Sequence, residues 1–180
     1  MNTVTITSER LLFKTLTKKD VSERYVGWLN DPAVNRFLET RFSSQTVESC
    51  RKFVSDMECD PASFLFGIFN KETSEHIGNI KLGFINANHR TGQLSFFIGE
   101  KSYWGKGLAT EAIRSLTKWG FHELRLERIE AGCYDTNMGS LRAMLKAGYS
   151  VEGFFRNSVD FEGSRIGCFW LGITQNDQSS

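Results

Sequence analysis

The chain has 180 residues, 40% of them hydrophobic, with 22 lysines and arginines against 21 aspartates and glutamates. That length and apolar content suffice for a core without disulfide or metal staples, so a single domain over 1–180, with its core in 9–173, is expected. A net charge of +1 gives no global attraction for nucleic acid or an anionic membrane, and any anionic ligand must be held by local geometry. Cys50, Cys59, Cys133 and Cys168 show no CxxC spacing, and the start MNTVTITSER alternates like a strand instead of forming a leader. No apolar run approaches the roughly 18 residues that cross a bilayer. These features predict reduced thiols in a cytoplasmic protein with no metal, nucleic-acid or membrane partner.

Residues 9–16, ERLLFKTL, read as the first strand. Thr17 and Asp20 have capping-box spacing for a helix running to about Leu29, and a second helix is predicted from Thr46 to about Glu58. Three strand-like runs follow: Phe64 to Asn70, Ile77 to Ile85 with Ile80, Leu82 and Phe84 on one face, and Gln93 to Ile98 with Leu94, Phe96 and Ile98 on one face. From Lys106 to Leu124 the period becomes helical, with Leu108, Ala112 and Leu116 in one stripe. Arg128 to Tyr134 alternates again, and a helix from Gly139 to Ala147 ends at Gly148, a left-handed cap position. Tyr149 to Phe161 and Arg165 to Ile173, joined at Glu162 and Gly163, form a last hairpin whose Phe154, Phe155, Phe169 and Trp170 are expected in the core. This order predicts an α/β fold around a mixed, mainly antiparallel sheet of about seven strands with helices on both faces.

The most informative stretch is Tyr103-Trp104-Gly105-Lys106-Gly107-Leu108-Ala109-Thr110-Glu111-Ala112, between an alternating strand and an amphipathic helix. Amides at a helix start are unpaired and carry the positive end of the dipole, and glycine removes the Cβ that would hold an anion away. Gly105 and Gly107 supply that clearance, and Lys106 adds a positive charge. A dinucleotide fingerprint would want Gly or Ala where Thr110 stands, and the GxxxxGK of a P-loop is absent.

The loop YWGKGLATEA resembles the pyrophosphate loop of the GNAT acetyltransferase superfamily, with Ser102 where the broader pattern has Gln or Arg. A second match is Asn137-Met138-Gly139-Ser140, then Leu145-Lys146-Ala147-Gly148-Tyr149 and Glu152-Gly153, which resembles the signature of the ribosomal-protein N-terminal acetyltransferase branch. The resemblance runs from Glu9 to Ile173 and implies a GNAT-like fold, acetyl-coenzyme A as cosubstrate, and transfer of the acetyl group to a primary amine without a metal. It places Phe97, Ile98, Trp104, Gly105, Lys106, Gly107, Leu108, Ala109, Asn137, Ser140 and Lys146 at the cofactor. Coenzyme A carries a peptide-like arm that can pair with a strand edge, which suits the strand ending at Ile98.

Many GNAT enzymes place a tyrosine seven residues after the motif asparagine to protonate the leaving thiolate; here that position is Met144, so Ser140 is the candidate acid. Asp160 and His89 are the candidate bases, since Gln93 stands where related enzymes often have Glu. Asn35, Arg36, Glu39, Arg41 and Gln93 are assigned to the acceptor side. The run WLNDPxVNRFLETR also resembles GNAT enzymes acting on nucleotide-linked amino sugars. Acceptors thus range over protein N-terminal amines, amino-sugar nucleotides and polyamines, and the missing acid leaves open a non-catalytic acyl-coenzyme A sensor. Monomer and homodimer are both compatible with the sequence.

Overall fold

The computed structural model describes residues 4–179. Eight strands form one sheet: β1 (Thr5–Thr7), β2 (Leu11–Thr15), β3 (Phe64–Asn70), β4 (His76–Asn86), β5 (Thr91–Ile98), β6 (Arg128–Tyr134), β7 (Ser150–Phe161) and β8 (Ser164–Thr174). Their order across the sheet is β1-β2-β3-β4-β5-β6-β8-β7, and every neighbouring pair is antiparallel except β5 and β6. The strand beyond the expected seven is the three-residue β1, which pairs with β2 through Ile6 and Phe13.

The helices are α1 (Glu23–Asn30), α2 (Pro32–Asn35), α3 (Val47–Cys59), α4 (Leu108–Glu123) and α5 (Met138–Ala147). Alternation along the strands splits the apolar residues between two layers. Phe66, Ile68, Ile80 and Leu82 join Ala112, Ile113 and Leu116 of α4 and Leu141 and Met144 of α5. Leu65 joins Tyr25, Trp28 and Leu29 of α1 and Cys50 and Val54 of α3 on the opposite face, with Phe97 packed against them. Helices therefore cover both faces, and each fully buried large side chain contributes roughly 1.5–3 kcal/mol through removal from water.

The helix expected from Thr17 to Leu29 is broken. The Asp20 carboxylate accepts hydrogen bonds from the Thr17 N–H (2.8 Å) and hydroxyl (2.7 Å), closing only a single turn over Lys18–Asp20. Val21 then adopts an extended backbone and is buried, so α1 restarts with Ser22 as its cap, accepting from the Tyr25 N–H. Phe84 does not share a face with Ile80 and Leu82: the register slips between Gly83 and Asn86, Phe84 takes φ +50°, and its ring is 70% exposed. Phe154 and Phe155 are also turned outward, 46% and 54% exposed, because β7 is an edge strand with a second register shift between Phe155 and Val159.

His76 closes the layer under α1. It stacks on Phe69 with ring centroids 4.8 Å apart and meets Trp28 edge-on at 5.1 Å. Its Nε2 lies 3.0 Å from the Gly78 carbonyl and 2.8 Å from Asn79 Oδ1. A carbonyl only accepts, so Nε2 carries the proton and donates to both oxygens. Burial holds the imidazole below its usual pKa of 6.5, outweighing those bonds. The unfolded chain therefore takes up this proton more readily than the folded one, and the stability linked to His76 is present above pH 6.5 and lost as the pH falls below it. Thermal unfolding midpoints measured from about pH 7 down to about pH 5 should fall for the native chain and fall less steeply for His76→Gln. Equal slopes would show that His76 is not held neutral.

Candidate functional site: an anion cleft joined to a second cavity

The β5–β6 pair is joined at only three positions, Thr91 with Arg128, Gly92 with Ile129 and Gln93 with Glu130. Beyond Gln93 the two strands part, while β5 stays paired with β4 as far as Ile98 and β6 stays paired with β8 as far as Tyr134. The Gly99 N–H donates to the Ile77 carbonyl at 2.8 Å, so alternation turns the main chain of Phe97 toward β4 and those of Phe96 and Ile98 toward the gap. Of the two expected backbone donors, Ile98 is thus the one open to a ligand. Its carbonyl accepts from the Trp104 indole Nε1 at 2.7 Å.

The gap runs into a cavity of about 600 Å³ between α2, β5, the start of α4 and α5. Gly105 and Gly107 have φ of +74° and +77°, where a side chain would be strained. A Cβ on Gly105 would meet nothing within 4 Å, and one on Gly107 only Arg10 Nη2 at 3.7 Å, so the surface is bare for an anion. The first main-chain bond of α4 runs from Glu111 to Gly107, which leaves the amides of Leu108, Ala109 and Thr110 outside the helix ladder. Arg36, Arg142 and Lys146 line the cavity together with Asn137 and Ser140, and no carboxylate does.

The loop is anchored from outside. Arg10 donates from Nη1 to the Lys106 carbonyl (3.0 Å) and from Nε to Glu111 Oε2 (2.7 Å). Burial pushes the Glu111 carboxyl up, but the Arg10 backbone N–H, the Ser8 hydroxyl and the Arg10 guanidinium together hold it below its usual value. The Lys106 ammonium lies 5.4 Å from the centroid of the Tyr103 ring, and Lys106 does not line the cavity. Its carbonyl holds Arg10. Arg142, one turn before Lys146 on α5, went unnoticed in the sequence; its spacing on the exposed face of that helix was the available signal.

Asn137 caps α5, its Oδ1 accepting from the Ser140 N–H at 3.2 Å. Ser140 is therefore not the cap, and it lines the cavity. Met144, at the position of the familiar tyrosine, is buried in the core.

The expected bases are not brought to the gap. His89 is exposed in the turn between β4 and β5, ahead of Thr91, from which β5 runs roughly 23 Å to Ile98 at about 3.3 Å per residue. Asp160 sits at the tip of the last hairpin, paired across it with Arg165 at 2.9 Å. Gln93 donates to Glu130 Oε1 at 3.1 Å and lines neither cavity. Asn35 donates to the Leu29 carbonyl at 2.8 Å and fixes α2 against α1, so it too is structural.

Arg36 reaches the cleft but also pairs with Glu162 at 3.2 Å, over the stacked rings of Phe37 and Phe161. Arg41 donates to the Leu38 carbonyl, the Tyr134 hydroxyl and the Asp160 carbonyl, at 3.0, 3.0 and 3.1 Å. The Tyr134 hydroxyl donates to Glu39, and burial, then that carboxylate, raises its pKa. Tyr134 was not foreseen, because its partners lie over ninety residues away. Together these contacts pin residues 36–42 to the ends of β6 and β7. Behind them a second cavity of about 370 Å³ lies between the sheet, α1 and α3, and shares Leu38, Phe96 and Phe97 with the first.

A glycine-flanked helix start, a cationic cleft without acids and a parted strand pair define a protein built to hold a long anionic cosubstrate beside a second ligand. Residues 10–150 match the model of the acetyltransferase (GNAT) domain, and the chain belongs to that family, whose members use acetyl-coenzyme A. It is 38% identical to the probable N-acetyltransferase YjcK of Bacillus subtilis (strain 168) over 123 residues, 66% of this chain and 67% of the relative. It is 32% identical over 129 residues to the spermidine N(1)-acetyltransferase of Escherichia coli (strain K12), covering 72% of this chain and 61% of that one. Among solved structures, a GNAT-family acetyltransferase from Bacillus anthracis aligns over 96% of this chain and 99% of its own, with a TM-score of 0.83 and 26% identity.

If the cleft holds phosphates, the exposed cations of α5 should matter for affinity and not for folding. Arg142→Ala with Lys146→Ala should weaken coenzyme A binding in titration calorimetry by about 10-fold or more, with a shallower salt dependence. The unfolding midpoint should stay where it is.

Proposed function

We propose that the protein transfers the acetyl group of acetyl-coenzyme A to a primary amine by direct attack of the amine on the thioester carbonyl. The observation that carries this reading is the parting of β5 from β6 beside an acid-free cationic cleft, with a second cavity meeting it at Phe96 and Phe97. The coenzyme's phosphates would lie on the amides of Leu108 to Thr110 with Arg142 and Lys146, and its arm would run along Ile98 and Phe96, reached by Asn137. The thioester then stands where the two cavities join.

A primary ammonium has a pKa near 10, as for lysine, and must lose a proton before it attacks. With His89 remote and Asp160 engaged by Arg165, that proton leaves through water in the acceptor cavity. Attack forms the C–N bond and places negative charge on the carbonyl oxygen. The Ile98 N–H, turned to the gap, stabilises that charge. As the intermediate collapses, the C–S bond breaks, and the Ser140 hydroxyl protonates the departing thiolate while recovering a proton from the attacking nitrogen through solvent. The acceptor is a protein N-terminal amine or a small-molecule amine.

Thiol release from acetyl-coenzyme A over a panel of amines tests the reading directly. Ser140→Ala should lower kcat by about 100-fold or more, the lower end of the usual contribution of a positioned acid, and leave acetyl-coenzyme A affinity unchanged. Undiminished turnover would remove Ser140 from the acid role. Tight binding of the thioester with no turnover of any amine would favour a non-catalytic sensor, the reading that the buried Met144 alone would support.

A further inference from the structure

The second cavity is bounded by Tyr25 and Leu29 of α1, Phe53 of α3, Leu65 of β3, Phe97 of β5, and Leu38. Tyr25 and Phe97 lie with their rings 16° from parallel and centroids 6.5 Å apart, while Phe53 is 42% exposed. These walls are apolar, and the polar side chains set among them are taken up elsewhere.

Two of the described lining residues carry a charge, Glu39 and Lys81. Glu39 accepts from the Tyr134 hydroxyl and pairs with Arg41 at 3.5 Å. The Lys81 ammonium lies 5.1 Å from the centroid of the Phe84 ring, and Phe84 is not a lining residue. Gln45 donates to the Ser43 carbonyl (3.1 Å) and hydroxyl (3.0 Å), and its Oε1 accepts from the Ser49 hydroxyl at 3.2 Å. Asn79 is held by His76, 2.8 Å from its Oδ1, and by the Tyr25 hydroxyl. The Thr40 hydroxyl oxygen is occluded, and burial pushes the Cys50 thiol up, which keeps it uncharged at neutral pH. Ser95, exposed on β5, is the polar side chain left over among the described lining residues.

Such a cavity rewards apolar surface and penalises a charge brought into it without a partner. Its volume of about 370 Å³ stands near the lower end of ligand pockets, which run from about 300 to 1,000 Å³. It meets the cofactor cleft at Leu38, Phe96 and Phe97, so an acceptor with its nitrogen at that join would carry its body away from the thioester, toward α1 and α3. Resting on the acetyltransferase reading, we propose that the acceptor is a small primary amine whose nitrogen is linked by a short chain to an uncharged, apolar body the size of a single ring, seated among Tyr25, Leu29, Phe53, Leu65 and Phe97. A polyamine would bring a further ammonium where no carboxylate among the described lining residues is free to meet it. A protein N-terminus would bring peptide groups directly behind the amine, and these would find one free side-chain partner, Ser95.

Thiol release from acetyl-coenzyme A is measured with phenethylamine, ethylamine, spermidine and a short peptide beginning with alanine. Phenethylamine should exceed ethylamine in kcat/KM by about 10-fold or more, the effect of burying one ring, and should exceed spermidine and the peptide as well. Any of the three turned over as well as phenethylamine would overturn the proposal. Phe53 stands outside the buried core, so Phe53→Ala tests the seat without emptying that core. The variant should cut the preference for phenethylamine over ethylamine by about 3-fold or more, through KM. An unchanged preference would also overturn the proposal. Should no amine be turned over, phenethylamine is titrated calorimetrically into the coenzyme A-saturated protein. Saturable heat that weakens in Phe53→Ala supports the apolar seat; no heat, or heat unchanged in the variant, overturns it while leaving the cofactor cleft intact. Failure of acetyl-coenzyme A itself to bind would sink both this proposal and the reading beneath it.

Discussion

Three residue pairs join β5 to β6, and everything that gives the molecule a site depends on there being no fourth. Both strands are held on their outer sides, β5 by β4 and β6 by β8, so the parting is not fraying but the result of two independently satisfied ladders diverging. A buried strand edge with open amides and carbonyls is costly unless something pairs with it. In this chain the cost is partly met by Trp104, whose indole holds the Ile98 carbonyl. A ligand arm with amides of its own is the natural partner for the rest.

Divergence alone would give a slot, and it becomes an anion site because α4 begins beside it. Two left-handed glycines set the direction in which the chain enters that helix, and the Arg10–Glu111 pair ties the entry to the turn between β1 and β2. Glu111 thus belongs to the loop motif for a mechanical reason. It sits one turn into the helix, where a free carboxylate would oppose phosphate, and its charge is instead consumed by Arg10 and Ser8 outside the cleft. The cleft keeps its cations and its bare amides, with no acid on its walls.

Much of the fold could be read from residue order because its signals are local. Phe64–Asn70 and Arg128–Tyr134 alternate between clear turn residues, and the structure ends both strands at those positions. Asn137, Gly148 and Thr46 stand at helix ends, where capping chemistry restricts the choice of residue. The break at Val21 and the outward turn of Phe84 were not legible, since burial of one side chain and a slip in strand register decide them. The site divides in the same way. The glycine loop announces itself because few residue types tolerate its backbone, whereas a base must be placed by tertiary structure, and Asp160 and His89 were placed elsewhere.

The two cavities also divide the electrostatic work. The first cavity carries Arg36, Arg142 and Lys146 among its lining residues, as suits an anionic ligand. The neighbouring cavity is mostly apolar, and Glu39, the one acid among its described lining residues, is engaged by Tyr134 of β6 and by Arg41. An ammonium entering the first cavity would meet Arg36, Arg142 and Lys146 and, among the described residues, no carboxylate on its walls. Such surroundings favour the neutral amine over the ammonium, because like charge and partial desolvation both push the amine's pKa down. On the proposed reading, such surroundings would help the acceptor lose its proton although neither His89 nor Asp160 stands at the gap.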